Sequence, residues 1–270
     1  MRLVAIPVEA AETVEMFDLG GWLPATFVAH VEHHRTLGST NARAKQLAAE
    51  GPQALPLLIV ADAQTAGRGR GGNRWWTGRG SLAMSLLVDL DQLEIPTAAR
   101  SLLALGTAVA VVDAAAPLVP GHRLGIRWPN DVEAAGRKLA GILVETLAGG
   151  LSVVGIGLNT NNTLAEAPPE LKQTATTIFE LTGRRHDHAA VLAALLAKLA
   201  ETFAQLANNA EETARRANAL CTQHGRMLSI QSGSQTFTGR CAGIAADGAL
   251  LLETPEGLRS VYSGVVLAPE

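Results

Sequence analysis

The sequence has little cysteine, no excess of positive charge and no long uncharged apolar run, and each shortage narrows what the chain can be. Cys221 and Cys241 are the only cysteines in 270 residues, and neither lies in a C-x-x-C pattern or beside a histidine pair. That excludes a disulfide framework and a zinc ribbon, and predicts small core-filling thiols in a reducing compartment. The net charge of −3 and isoelectric point near 6.2 oppose a protein that coats nucleic acid, because phosphate neutralisation needs a broad basic surface. The N-terminus reaches Glu9, Glu12 and Glu15 before any apolar segment long enough for a signal peptide. No later apolar run goes about eighteen residues without glycine or charge, so a cytoplasmic protein without a membrane span is expected.

With 47% hydrophobic and 17% charged residues, the chain can bury a substantial core, in one large domain plus a small one. Its most informative segment is also defined by a shortage: no carboxylate occurs between Asp62 and Asp89. Inside that gap, Thr65 to Trp76 reads TAGRGRGGNRWW, with four glycines, three arginines and two tryptophans. Glycines allow close approach and unusual dihedrals. Arginine forks match phosphate and carboxylate oxygens, and tryptophans give a ligand ring flat apolar walls. Gly67 to Gly72 also satisfies G-x-G-x-x-G, but that dinucleotide fingerprint requires a helix to open next, whereas Asn73 to Gly78 leads into another apolar strand. The segment reads as an anion-binding loop of an adenylating enzyme.

Periodicity and turn chemistry place the loop. Ser39, Thr40 and Asn41 start a helix that stops at Gly51. Residues 56–64 and 81–89 are apolar runs that predict strands on either side of the loop. Residues 98–116 predict a buried helix, and residues 123–128, 138–146 and 152–160 predict strands, with a turn over 130–136. Short connections favour antiparallel neighbours. A short helix is expected over 174–182, and a long one from His188 to about Leu220, broken near Asn208-Asn209. After Gly225 the chain becomes short β-like pieces separated by glycine turns. Residues 1–35 show no clear periodic pattern, and no carboxylate or cysteine set stands at ligand spacing beside His30, His33 and His34, so surface or packing roles are expected for them. The expected divisions are an N-terminal extension, 1–35, a catalytic domain, 36–221, and a small β-barrel, 222–270, docked on it.

Three further clusters carry polar groups. Arg127-Trp128-Pro129-Asn130-Asp131 sets an amide and a carboxylate after a strand; the amide suits an adenine edge or a phosphate, and the carboxylate suits magnesium or an arginine. In Gly136 to Glu145, alternation puts Lys138, Ala140 and Ile142 on one face; a lone lysine there is normally an edge gatekeeper, whereas in a concave site it is a fixed positive charge aimed at a reacting phosphate. Gly155-Ile156-Gly157-Leu158-Asn159 ends a strand on an asparagine, with glycines that let a nucleotide approach.

STN at 39–41, Gln64 followed by GRGR at 67–70, RWPND at 127–131, GRKLAGIL at 136–143 and GIGLN at 155–159 occur in this order, and together they resemble the biotin–protein ligases over roughly residues 36–270. The resemblance implies an α+β fold like the class II aminoacyl-tRNA synthetases, a mixed sheet flanked by helices, with a C-terminal SH3-like β-barrel. It implies a biotin pocket of Ser39, Thr40, Asn41, Gln64, Arg68, Gly69, Arg70, Lys138 and Gly141. Arg70, Trp75, Asn130, Asp131 and Asn159 would face ATP and magnesium, with Asp131 the metal contact and Lys138 and Arg70 the catalytic cations. The implied reaction forms biotinyl-5′-AMP and passes biotin to a lysine on the biotin carboxyl carrier domain of acetyl-CoA carboxylase. Members can pair through the central sheet, which makes a homodimer an option. Many carry arginine where Asn73 stands and lysine where Arg127 stands. Regulatory members have an N-terminal winged helix-turn-helix, whereas fewer than forty residues precede Ser39 here, so a ligase without DNA binding is expected. The competing readings are a lipoate–protein ligase, a catalytically silent homologue, and a nucleic-acid-binding module that stacks bases on Trp75 and Trp76.

Overall fold

The computed structural model describes residues 26–267; expectations about residues 1–25 lie outside them. Seven strands build the central sheet: β1 (His30–Leu37), β2 (Leu57–Gln64), β3 (Leu82–Asp89), β4 (Leu124–Arg127), β5 (Asp131–Ala134), β6 (Arg137–Thr146) and β7 (Leu151–Leu158). Their order is β1-β2-β3-β7-β6-β5-β4. Only β1 and β2 run parallel, joined by the crossover helix α1 (Thr40–Glu50). Every other neighbour is antiparallel, as the short connections predicted.

Several expectations need correction. β1 falls inside the segment that lacks a periodic pattern, so the sheet begins before the boundary expected at residue 35. It is an edge strand with neither face fully buried, so no alternation was needed. Its histidines pair locally, His33 with Asp62 at 2.6 Å and His34 with Glu32 at 3.0 Å. The turn expected over 130–136 contains the strand β5, and the actual reversal is Ala135-Gly136, with φ of 50° and 73°, the left-handed pair of a tight hairpin. The helix expected over 98–116 starts as a 3-10 turn and becomes α2 (Leu103–Ala115). The helix expected over 174–182 is two short ones, α3 (Pro169–Thr174) and α4 (Ile178–Thr182), with extended residues between them.

The phase of β6 also differs. Val132 pairs with Ala140, but Glu133 pairs with Lys138, so Leu139 is an extra residue at a bulge. Leu139 and Ala140 are consequently both buried in the core, and Lys138 lies on the face of Gly141 and not on that of Ala140 and Ile142.

Strict alternation elsewhere divides the sheet into two faces. Met84, Leu86, Val154 and Ile156 belong to the main core with α2 and α5 (His188–Asn208). Thr97–Leu118 and His188–Asn208 are long and apolar enough to cross a membrane by length and composition; here they pack on each other, and the first also packs on the sheet. Asn209 ends α5 and caps α6 (Ala210–Ala219), where the break was predicted. On the opposite face, α1 covers a smaller cluster of Ala44, Leu47, Leu57, Ile59, Leu87 and Val153 and leaves the rest of that face open.

The C-terminal strands β8 (Met227–Ser232), β9 (Gln235–Ile244), β10 (Leu250–Thr254), β11 (Gly257–Val261) and β12 (Val265–Val266) form a small antiparallel sheet in the order β11-β10-β9-β8-β12. Its apolar side joins the main core through Ile230, Cys241, Ile244 and Leu250. Polar contacts fasten the junction, with Trp128 Nε1 donating to Gly248 O at 3.0 Å and Ser101 Oγ to Asp247 O at 2.8 Å.

Candidate active site

The open half of the sheet is a floor almost without side chains. Gly141 of β6 faces Gly157 of β7, Leu143 faces Gly155, and Ser85 of β3 faces Gly155 from the other side. A Cβ at Gly157 would enter the Trp75 indole, and one at Gly155 would enter the Asn41 amide. A Cβ at Gly141 would come to 3.1 Å from both Lys138 Cε and Trp75 Cζ3. These glycines are beds for the functional side chains themselves, a use that their strand positions alone did not reveal.

At one end of the floor, the start of α1 buries Ser39, Thr40 and Asn41. Gln64 Oε1 accepts from Thr40 N at 2.9 Å, and Gln64 Nε2 donates to Thr77 Oγ1 at 3.1 Å. Ser85 Oγ lies 2.7 Å from both Thr40 Oγ1 and Asn41 Oδ1. Asn41 Nδ2 donates to Leu143 O and to Glu145 Oε2. Glu145 also meets Lys45 at 2.9 Å and Arg68 at 3.2 Å, tying α1, β6 and the glycine-arginine loop together. Burial acts to raise the Glu145 carboxyl, but the bonds from Lys45 and Asn41 and the Arg68 charge together hold it below the usual range. Ser85 and Glu145 escaped the sequence reading because only the strand register brings them to Asn41.

The loop itself is a tight hairpin. Gly69 N donates to Asn73 O and Trp75 N to Gly67 O, and the tip turns through Gly71 and Gly72 at φ of 62° and 82°. Asn73 thus acts here through its backbone. The hairpin lays Trp75 across the Gly141-Gly157 pair, and the buried indole N–H finds no acceptor among the described residues. Lys138 Nζ lies 2.6 Å from Asp131 Oδ1 and 5.6 Å from the Trp75 ring centroid. Arg70 reaches Asn130 Oδ1 at 3.5 Å and Gly264 O at 3.4 Å. Burial pushes the Arg70 guanidinium down from its ordinary value, while Asp131 opposes the shift. Asn130 is pinned by its Nδ2 bond of 2.6 Å to Ile142 O.

These groups line one cavity of about 460 Å³, within the usual range for small-molecule sites. Ser39, Thr40, Asn41, Gln64, Arg68, Gly69, Arg70, Trp75, Asn130, Asp131, Lys138 and Gly141 all reach its wall. Asn159 does not line it. Its Nδ2 donates to Thr176 O at 3.1 Å and its Oδ1 accepts from Asn162 at 3.2 Å, behind the end of β7. The C-terminal sheet supplies a wall through Gln231, Gly233 and Ser263 to Val266, which its expected role as a docked appendage did not include. A polar pocket at one end, a planar indole in the middle and two cations beside a carboxylate at the other can hold a polar ring and an anion side by side.

Residues 34–161 match the Biotin/lipoate A/B protein ligase family, and residues 224–267 match the Biotin protein ligase C terminal domain. The chain is 32% identical to the bifunctional ligase/repressor BirA of Bacillus subtilis, over 97% of its own length and 80% of that protein. The chain belongs to the biotin protein ligase family. This ligase is also 34% identical to the biotin–[acetyl-CoA-carboxylase] ligase of Mycobacterium tuberculosis, over 86% of the chain and 84% of the relative. Its fold matches the biotin protein ligase of Aquifex aeolicus in complex with biotin and ATP, with a TM-score of 0.76 and 29% identity, over 88% of this chain and 98% of that one.

Proposed function

We infer that the chain activates biotin with ATP to biotinyl-5′-AMP and transfers biotin to a lysine on a biotin carboxyl carrier domain of acetyl-CoA carboxylase. The observation that carries this reading is the convergence of Lys138 and Arg70 beside Asn130 and Asp131, next to a polar pocket, over a glycine floor roofed by Trp75. The ureido ring of biotin has donors and an acceptor, and Ser39, Thr40, Asn41 and Gln64 offer complementary groups at the pocket end. That polarity favours biotin over lipoate, whose dithiolane ring has no comparable groups.

In this assignment the biotin carboxylate lies toward Lys138 and attacks the α-phosphate of ATP in line, and pyrophosphate leaves. Lys138 and Arg70 stabilise the charge gathering on the phosphoryl oxygens. Asp131 holds Lys138 until the anion takes over as its partner. Trp75 and Asn130 position the nucleotide base. Among the described residues Asp131 is the one carboxylate lining the cavity, which suits magnesium carried in by ATP, an ion that commonly takes one or two protein carboxylates plus phosphates; when bound it would add positive charge at the phosphate oxygens. The acceptor ε-amine then attacks the mixed anhydride and expels AMP. The hairpin closed by Glu145 and Arg68 shields that anhydride from water until the acceptor docks.

The test is transfer of biotin to a purified carrier domain with Mg-ATP, read by avidin blot, with lipoate as competitor and an acceptor lacking its lysine as control. Lysine-dependent labelling that excess lipoate leaves unchanged is the expected result. Labelling by lipoate, or biotin binding without transfer, would overturn the assignment.

A further inference from the structure

The two cysteines, expected from the sequence to be inert core filling, meet where the catalytic domain joins the C-terminal sheet. Cys221 follows α6 and bridges to Ile126 of β4. The flanking bonds Ile126 N to Leu220 O, 2.7 Å, and Thr222 N to Ile126 O, 2.9 Å, fix its backbone. Cys241 sits in β9, where it donates to Arg226 O and accepts from Gly225 N, each at 2.8 Å. The short return over 221–226 therefore brings both cysteines to one part of the core, Cys221 packed against the cluster that buries Cys241, close enough for each thiol to shift the other's titration. Asn218 Oδ1, accepting from Ile244 N at 2.8 Å, fastens α6 to β9 beside them.

The two sulfurs have different surroundings. Cys241 is 1% exposed, whereas Cys221 is partly exposed. The Cys241 thiol and the backbone amides of Gln223 and His224 stabilise the Cys221 thiolate, with the Arg226 charge nearby. These groups outweigh burial and bring the Cys221 thiol down to about 7. The Cys241 thiol is raised by Cys221 and by burial. The other charged groups at this return are Arg240, whose Nη1 donates to Gly225 O, and the buried Glu133, whose Oε2 accepts from Thr222 Oγ1 at 3.0 Å. A low thiol beside a second cysteine is the arrangement of a redox-reactive site.

We propose that Cys221 and Cys241 form a hydroperoxide-reactive dithiol site, with Cys221 the attacking and Cys241 the resolving sulfur, which closes to a disulfide between the catalytic domain and the C-terminal sheet. The Cys221 thiolate attacks one peroxide oxygen, the O–O bond breaks, and hydroxide leaves to take up a proton. Cys241 sulfur then attacks the Cys221 sulfenic acid. The S–O bond breaks, and the departing oxygen takes the Cys241 proton and leaves as water. In sum, both thiols and one peroxide become one disulfide and two waters. The bond would pull on residues 220–223, which back the strand that leads to Asn130 and Asp131.

The experiment treats the full chain with hydrogen peroxide and reads free thiols, intact mass and a peptide map without reductant. Joint loss of both thiols, loss of two hydrogens and a peptide linking residues 221 and 241, all reversed by dithiothreitol, is the expected result. The Cys241→Ser variant should accumulate a sulfenic acid at Cys221 that dimedone traps, and Cys221→Ser should leave Cys241 unmodified. In the unsubstituted protein, iodoacetamide alkylation of Cys221 should rise through neutral pH, below the range of an ordinary thiol. Thermal melts confirm that the variants are folded, and the unsubstituted protein tests the proposal without them. Both thiols staying reduced while glutathione in the same tube is oxidised, or a disulfide linking separate chains, would overturn it.

Discussion

The two faces of β7 carry opposite chemistry on alternate residues of one strand. Ser152, Val154, Ile156 and Leu158 point into the layer below, and Val154, Ile156 and Leu158 belong to the main core. Leu151, Val153, Gly155 and Gly157 point the other way, and Leu151 and Val153 meet the apolar cluster under α1. Gly155 and Gly157 instead receive Asn41 and Trp75. One face gains stability from close packing, while the other gives up side chains so that polar and aromatic groups from elsewhere can lie flat on it. Stability and ligand chemistry are thus separated across a single layer of backbone, and substitutions can test how clean the separation is.

The largest effects should come from pairing a substitution on each face. Lys138→Ala removes a cation from the open side, and adenylate formation, followed by pyrophosphate release, should fall about 10²–10³-fold with little change in the urea midpoint. Ile156→Ala, at 2% exposed on the covered side, should do the reverse, costing about 2–5 kcal/mol of stability while the folded fraction keeps its turnover. A Lys138→Ala enzyme with near-normal adenylation would remove that residue from the mechanism.

Next come the glycines. Gly157→Ala forces the Trp75 indole off its bed, and Gly155→Ala displaces Asn41, costs of about 1–3 kcal/mol. Titration calorimetry should show ATP binding weakened more by Gly157→Ala and biotin binding more by Gly155→Ala. Equal losses of both ligands in both variants would mean that the floor acts as one unit, not as two beds.

Glu145→Gln should have a smaller effect, because Asn41 keeps an amide partner while Lys45 and Arg68 lose a charge. The hairpin should hold the adenylate less well, seen as a few-fold faster hydrolysis without acceptor. The carboxyl lies below its ordinary 4.5 in the folded chain. It therefore contributes stability that is fully present above that pH and is lost as pH falls through the folded value. Acid denaturation of Glu145→Gln should start from lower stability at neutral pH and show a shallower decline below 4.5.

Much of this separation was legible from the chain alone. The strand expected over 152–160, the Ser39 start of α1, the break at Asn208-Asn209 and the β-like pieces after Gly225 followed from local pattern, because period and turn chemistry act within a few residues. What escaped depended on pairing between distant segments. β1 gave no alternation because it is a half-exposed edge, and β5 was hidden by turn-rich residues. Lys138 changed face because one extra residue, Leu139, bulges opposite Val132 and Glu133. The wall from Gln231 and Ser263 to Val266 required knowing where the small sheet docks. Within the expected site, the hairpin, Lys138 and Asp131 came together, whereas Asn159 turned to a different task.

That task gives the smallest and sharpest test. Asn159 is 4% exposed at the point where β7 leaves the sheet. Its backbone N–H donates to Leu139 O, and its side chain joins Thr176 O to Asn162. Asn159→Ala strips the Thr176 carbonyl of a donor in a buried setting, a loss of about 1–3 kcal/mol, and should lower the melting temperature. The KM for ATP should stay the same, since Asn159 stands outside the cavity wall. A KM raised tenfold at an unchanged melting temperature would instead place the asparagine on the nucleotide. The ligand-bound cavity would then extend past the end of β7, and the line between structural and functional residues along that strand would move by two positions, from Gly157 to Asn159.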